Sequence, residues 1–379
     1  MKKLLIVIHS LSGGGAERVV TRLLGQISQT RPDIELSLAL FKPTLDYPVP
    51  DGVKLHIIGR KRTSLPSKIW EQFIVFRNLR ALLASTKPDA VLSFMPAANM
   101  FSLAAKKSLN LANTRFVVSE RVAIESNYSG FKRKVLGALM RALYPSADNV
   151  LCVAEGIKQE IERMGIPLKA ITVVNNAVEA EDLKIKALAR EPHSWTLDAS
   201  QPLLITAGRL THQKGHDTFL SALKVLSDKG LYPRTLIYGT GELASALQTQ
   251  IDEAGLTETV LLTGFNPNPY PDIAKAACFV FPSRWEGFPN ALLEAMALEV
   301  PVISADCPFG PKELILNDVY GKLVPVDEPE LLANAIEALL STYKDPSLYL
   351  AEKEKSKQGA LRYTPENMLK AYLSVLIDE

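Results

Sequence analysis

The segment Lys3 to Ile8 is apolar almost without a break, and a run with no alternation predicts a strand buried on both faces. Gly13-Gly14-Gly15 follows, and then apolar positions at helical spacing from about Ala16 to Ser28. Ile34 to Phe41 reads as a second strand and Val53 to Ile58 as a short third one. A helix from about Ser67 to Ser85 leads to Ala90-Val91-Leu92-Ser93-Phe94, and Arg115 to Ser119 and Asn149 to Val153 read as further buried strands with helices between them. Regular alternation of strand and helix predicts a parallel sheet covered on both faces.

The pattern starts again after residue 200. Leu203 to Ala207 is the first strand of the new series, followed by a helix from about His216 to Lys229. Thr235 to Tyr238, Val260 to Thr263, Phe279 to Phe281 and Val302 to Ser304 are the next strands, each with a helical stretch after it. The chain is therefore expected to be α/β, with two doubly wound, Rossmann-like units at about 1–178 and 179–364. The seam falls in 178–200, where Glu179-Ala180-Glu181-Asp182 and Arg190-Glu191-Pro192-His193 are charged and loop-like. The last helix, about Pro365 to Ile377, fits either unit, including a return of 365–379 onto the first.

Composition narrows the class. With 379 residues, 47% of them apolar and 22% charged, the chain matches an ordinary globular protein of two domains and not a disordered or membrane-embedded one. Cys152, Cys278 and Cys307 are too few and too scattered for a disulfide framework or a metal site, which fits a reducing compartment. Met1-Lys2-Lys3 and the apolar run after it imitate a signal peptide, but the run is too short and ends at His9. The net charge of +2 hides an asymmetry. Residues 1–180 hold 25 Lys and Arg against 14 Asp and Glu, whereas residues 181–379 hold 18 against 27. A basic first half points to an anionic partner.

Open parallel sheets bind ligands beyond the carboxyl ends of their strands, so the loops there are where chemistry is sought. Gly13-Gly14-Gly15 lies between the first strand and helix, where glycines let backbone N–H groups approach a phosphate; it also suits a tight turn with no ligand. It lacks the G-x-G-x-x-G spacing, and Phe41-Lys42 rather than an acidic residue ends the second strand, which counts against a nicotinamide oxidoreductase. Arg209 and Lys214 share the loop Gly208 to Gly215 after a buried strand, a suitable clamp for a diphosphate, or two solvated cations. In Ser283 to Glu294, Pro289 suits a first helical position. Glu286 then lies in the loop and Glu294 one to two turns inside the helix, flanking amides that the first turn leaves unpaired. Two carboxylates beside free amides suit a polyhydroxylated, phosphorylated ligand; a capping Glu and an exposed helical Glu is the plainer alternative.

Together these residues resemble the family 4 glycosyltransferases, which have the GT-B fold of two Rossmann-like domains facing a cleft. Glu286 to Glu294 matches the family's E-x7-E element, including Gly287-Phe288-Pro289-Asn290, and Gly208, Arg209 and Lys214 match its G-R…K element. Ser12 to Arg18 matches the glycine-rich first loop, Asn176 to Glu179 resembles a variant of the Asn-Gly-Val-Asp seam, Gly239-Thr240-Gly241-Glu242 resembles the usual Gly-Asp-Gly-Pro loop, and Thr263-Gly264-Phe265 the strand end near the base. Ser12 to Arg18 and Asp306 to Glu313 look most like a bacterial subgroup that builds lipopolysaccharide cores, capsules or oligosaccharides on polyprenyl diphosphate.

The resemblance implies a retaining, metal-independent transfer from a nucleotide sugar, with UDP the expected carrier. Arg209, Lys214 and Glu286 would be catalytic. The donor would also meet Gly14, Gly15, Gly239, Gly264, Phe265, Gly287, Phe288, Asn290, Ala291 and Leu292, and Glu294 would hold the ribose. No cofactor is implied, and no Asp-x-Asp element is present to bridge a metal. Arg18 and Arg121 are candidate acceptor or sugar contacts; relatives often carry a histidine where Ser119-Glu120 is followed here by Arg121.

The acceptor is expected on the first domain. Arg60, Lys61 and Arg62 precede a helix with Ile69, Trp70, Phe73, Phe76, Leu79 and Leu83 on one broad face, and Lys132, Arg133 and Lys134 open a second basic amphipathic stretch running to Tyr144. Both fit an element lying on anionic lipid, and both fit helices that cover the sheet. The implied partners are a lipid-linked or lipopolysaccharide-type glycan and an anionic membrane, at the inner face of the cytoplasmic membrane. Nucleic acid is not implied, because aromatics do not interleave with the cations. A nucleotide-sugar epimerase on the same fold and a binding subunit without catalysis are the alternative readings.

Overall fold

A computed structural model describes residues 1–12, 14–59, 68–109, 111–198 and 201–377, without the side chains of Lys68 and Ile69. Arg60, Lys61, Arg62 and Gly13 lie outside the described residues. The chain divides into two compact units, Met1–Asn176 with Glu366–Glu379, and Ala177–Pro365.

The first unit is built on seven parallel strands: β1 (Lys2–Ile8), β2 (Ile34–Leu40), β3 (Lys54–Ile57), β4 (Ala90–Phe94), β5 (Arg115–Glu120), β6 (Asn149–Cys152) and β7 (Ile171–Val173), in the order β3-β2-β1-β4-β5-β6-β7. Leu4 to Ile8 and all of β4 are buried, as strands covered on both faces must be. Helix Gly15–Thr30 covers the sheet through Val19, Val20, Leu23, Leu24 and Ile27, the spacing of one helical face.

The second unit has six parallel strands: β8 (Leu203–Ala207), β9 (Arg234–Tyr238), β10 (Val260–Gly264), β11 (Cys278–Phe281), β12 (Val302–Ala305) and β13 (Lys322–Val324), in the order β10-β9-β8-β11-β12-β13. In both sheets the order reverses beside the first strand, between β1 and β4 and between β8 and β11. At such a reversal the flanking loops turn to opposite faces and leave a crevice at the strands' carboxyl ends.

Two sequence expectations are amended, and one that left two placements open is decided. The strands β7 and β13 have three residues each and were not anticipated. The last helix, Pro365–Leu376, packs on the first unit through Met368, Tyr372, Leu373 and Leu376, and Arg115 donates a hydrogen bond to its Val375 carbonyl at 3.1 Å. Pro289 is the residue before helix Asn290–Ala297, not its first member, because its ψ of 77° is not helical.

Candidate active site

The second unit gathers its polar loops around the β8/β11 reversal. The loop after β8 carries Arg209 and a single 3₁₀ turn, His212–Lys214. The loop after β11 carries Glu286. Lys214 Nζ lies 2.6 Å from Glu286 Oε1, and also 5.3 Å from the centroid of the Phe281 ring. Glu286 is buried and Lys214 nearly so, which makes this a desolvated ion pair in a polar loop cluster. Arg209 is exposed, with Nη2 3.2 Å from Gln213 Oε1. Gln213 Nε2 donates to the Trp285 carbonyl at 2.8 Å, tying the two loops together.

Glycine makes this packing possible. Gly239, after β9, has φ +146°, and a Cβ there would overlap the Gly208 carbonyl. Gly215 has φ +63°, and a Cβ there would overlap the Pro282 carbonyl. Side chains are thus excluded where three neighbouring loops cross. The loop after β12 joins the same cluster, since Glu286 N donates to the Pro308 carbonyl at 3.4 Å.

Not every expected donor-binding residue offers a side chain. Leu292 is fully buried, and Phe288 is buried edge-on to Tyr363, 5.8 Å between ring centroids. Their side chains belong to the core. What helix Asn290–Ala297 presents near Glu286 is its first turn, where the Ala291 and Leu292 amides lack partners within the helix. Glu294 is half-buried on this helix, and Asn290 and Gly287 are half-buried beside it. Gly264 has φ +77° with open space around it, and Phe265 after it is 74% exposed, a large ring without cover at the end of β10.

The histidine beneath these loops adds no charge to the cluster near neutral pH. His216, 2% exposed beneath the loop, is pushed by burial and by the Lys214 charge down to about 4, so it is neutral near pH 7. All three cysteines are buried, with their thiols pushed up by burial, which suits inert packing groups.

The first unit treats its strand ends differently. Gly14 precedes helix Gly15–Thr30, and Arg18 is exposed on its first turn. The Glu17 carboxylate folds back over Gly14 so closely that a Cβ on Gly14 would overlap it. Burial pushes this carboxyl up, against a hydrogen bond from its own backbone N–H and the charge of Arg121. In the free chain the anion-favouring start of this helix therefore holds a resident carboxylate.

Arg121 does not stand open as a phosphate or sugar contact. It is buried, donates to Asn176 Oδ1 and to the Tyr372 hydroxyl, and lies over the Phe94 ring. Its partners sit at the last residue of the unit's main segment and on the returning C-terminal helix, so it fastens both. Next to it Glu120 is wholly buried at the end of β5, accepting from Tyr144 and Asn99. Sequence reasoning missed Gln213, Glu17 and Glu120, because each takes its meaning from partners brought by the fold.

Comparison with known proteins agrees with both halves. Residues 13–182 match the family described as Glycosyltransferase Family 4, and residues 189–357 match Glycosyl transferases group 1. A Campylobacter jejuni protein, N-acetylgalactosamine-N,N'-diacetylbacillosaminyl-diphospho-undecaprenol 4-alpha-N-acetylgalactosaminyltransferase, is 30% identical over 387 residues, covering 100% of both chains. A second Campylobacter jejuni protein, named as an alpha-1,4-N-acetyl-D-galactosaminyltransferase acting on a diNAcBac-PP-undecaprenol-linked glycan, is 28% identical, covering 99% of each. In architecture the chain matches Anabaena HepE in complex with UDP, with a TM-score of 0.77 over 99% of each chain at 17% identity.

Proposed function

The chain belongs to the family 4, group 1 glycosyltransferases, and we propose that it moves a sugar from a UDP-sugar to a polyprenyl-diphosphate-linked or lipopolysaccharide-type glycan with retention at the anomeric carbon. The observation that carries this reading is the Lys214–Glu286 pair beside exposed Arg209 at the β8/β11 reversal. Arg209 and Lys214 supply positive charge where a departing diphosphate becomes more negative, the place where a preformed field contributes most. Glu286 accepts from sugar hydroxyls once Lys214 turns to the phosphate, and the Ala291 and Leu292 amides add donors. The C1–O bond to the diphosphate breaks, and the acceptor oxygen bonds C1 from the same face. The acceptor proton goes to the leaving phosphate oxygen, so the nucleoside diphosphate departs and no protein base is needed. No cofactor or divalent metal takes part in this scheme.

Support for the donor and acceptor classes comes from the UDP bound by HepE and from the undecaprenyl-diphosphate glycans in the names of the Campylobacter relatives. The test is incubation with UDP-sugars, an undecaprenyl-diphosphate glycan and EDTA, followed by NMR of the product anomer. Release of UDP that depends on acceptor supports transfer; conversion of the donor without acceptor would replace it with epimerisation.

We further propose that the first unit works at the anionic inner face of the cytoplasmic membrane. Among the described residues no helix is long and apolar enough to cross a membrane. Helix Gly130–Leu143 buries Gly137 and Met140, and exposes Phe131 (80%), Val135 and Leu139 on the opposite side. Lys132, Arg133 and Lys134 are exposed around this ridge. Trp70 and Phe73 are likewise exposed, whereas Leu79 and Leu83 on the same helix are fully buried. An apolar ridge bordered by cations suits insertion among anionic headgroups. Phe131→Ser should reduce sedimentation with anionic liposomes; unchanged sedimentation would remove the membrane claim and leave the transfer claim standing.

A further inference from the structure

Arg284 follows β11 by three residues and looks, in sequence, like one more surface cation. Its side chain is 10% exposed. The guanidinium grips Asp217 with both ends of its fork, Nη1 to Oδ1 at 2.9 Å and Nη2 to Oδ2 at 2.7 Å. Nε reaches the Asp327 carboxylate at 2.8 and 3.0 Å. Nη1 also donates to the His212 carbonyl at 2.7 Å, with the His212 ring Nδ1 3.1 Å away, and Nη2 contacts the Thr218 hydroxyl at 3.2 Å. An arginine has five N–H donors, and here all are directed at this chain. The backbone joins in, since Arg284 N donates to the Gln213 carbonyl at 2.8 Å.

These contacts enclose the 3₁₀ turn His212–Lys214 from both sides. Its first carbonyl is held by the side chain of Arg284 and its second by the backbone of Arg284. Lys214 is the next residue along, and Glu286, its partner, lies two residues after Arg284. The brace also reaches the first turn of helix His216–Asp228 through Asp217 and the loop before helix Pro329–Tyr343 through Asp327. Burial pushes the carboxyls of Asp217 and Asp327 up, but the hydrogen bonds and charge of Arg284, together with hydrogen bonds from Thr218, hold both below their ordinary values, so both stay ionised. Arg209 contrasts with this, being exposed, with its guanidinium donating to Gln213 at 3.2 Å.

We propose that Arg284 is a positioning residue for the diphosphate clamp: it divides its donors between the turn that aims Lys214 and the carboxylates of Asp217 and Asp327, which tie that turn to the neighbouring elements, so that Lys214 and Arg209 meet a nucleoside diphosphate already in place. The inference rests on the donor-site reading above and adds a residue that never touches the ligand. Arginine serves fully and lysine only in part, because a lysine ammonium keeps the charge but cannot bridge two carboxylates and a carbonyl in one plane.

The test compares the affinity of the full chain for UDP with that for uridine by calorimetry, in wild type, Arg284→Met, Arg284→Lys and Asp327→Asn. In Arg284→Met the UDP affinity should fall about tenfold or more while uridine binding stays within about twofold, since only the charge-bearing end of the ligand depends on the aimed turn. Arg284→Lys should recover part of the loss. Asp327→Asn keeps the Asp217 fork and should fall about threefold in the same direction, which preserves the test if Arg284→Met does not fold. A UDP-to-uridine ratio unchanged in these variants, or an equal loss for both ligands, overturns the inference. A wild type that does not prefer UDP to uridine overturns the donor-site reading first, and this inference with it.

Discussion

The two units share a topology and use it in opposite ways. Each has a parallel sheet whose strand order reverses next to its first strand, so each has a crevice suited to a ligand. In the second unit the strand ends carry charges into loops, and the partners found there, Lys214 with Glu286 and Arg209 with Gln213, are ones a phosphate or sugar can displace. In the first unit the strand ends carry polar groups inward. Glu120 is sealed against Tyr144 and Asn99, and Arg121 is spent on Asn176 and Tyr372. A shared fold thus fixes where a site can be; whether one exists is decided by which charged side chains remain accessible.

The largest effect should come from the second unit. Lys214→Met removes the buried partner of Glu286 and the cation facing the leaving group, and should cut kcat by roughly 100- to 1000-fold in metal-free buffer. Turnover close to wild type would break the contrast at its centre. A smaller but clear effect should separate two glycines of that unit. Gly239→Ala combines a disfavoured φ with a clash against a backbone carbonyl, and should cost about 3 kcal/mol, seen in urea unfolding. Gly264→Ala meets open space, so only the backbone term of about 1 kcal/mol remains. Equal costs would show that loop crossing does not govern this edge.

Next in size is Arg121→Met in the first unit. It leaves Asn176 and the Tyr372 hydroxyl without their cation, at a cost of about 1–3 kcal/mol. UDP affinity should stay within about twofold, because Asn176, Tyr372 and Phe94, which Arg121 meets, all belong to the first unit. Loss of UDP binding without loss of stability would return Arg121 to the ligand.

Much of this was legible in the chain itself. Long apolar runs and helical spacing revealed the doubly wound units, since burial on both faces leaves an unmistakable pattern in strands such as β1 and β4. The cluster of Arg209, Lys214 and Glu286 was legible because each follows a buried strand, and topology sends such loops to one edge. The three-residue strands β7 and β13 were not, since three residues carry no period. Arg284 was opaque for another reason: Asp217 and Asp327 lie 67 and 43 positions away, and separation of that order hides a partner. The second basic amphipathic stretch, running to Tyr144, was visible, but amphipathic spacing does not say whether the apolar side faces the sheet or the solvent. Gly137 and Met140 answer that by being the buried side.

The smallest predicted effect tests the sealed character of the first unit. Burial raises the Glu120 carboxyl to about 7 from the usual 4.5, and Glu160 pushes the same way, while hydrogen bonds from Tyr144 and Asn99 oppose it. The sign follows from proton counting. Between pH 4.5 and 7 the unfolded chain gives up this proton while the folded chain keeps it, so stability falls as pH rises through that window and levels off above it. Glu120→Gln keeps the shape of the neutral acid and cannot ionise, so this falling limb should disappear from its urea-derived stability profile. His216 contributes with the opposite slope: the unfolded chain takes up a proton below about 6.5 that the buried ring accepts only near 4, so stability falls on acidification in both proteins. The difference between the two profiles therefore isolates Glu120. A wild-type profile parallel to that of Glu120→Gln would mean that the carboxylate is already charged inside the first unit, and the strand ends of the two units would then differ in accessibility alone.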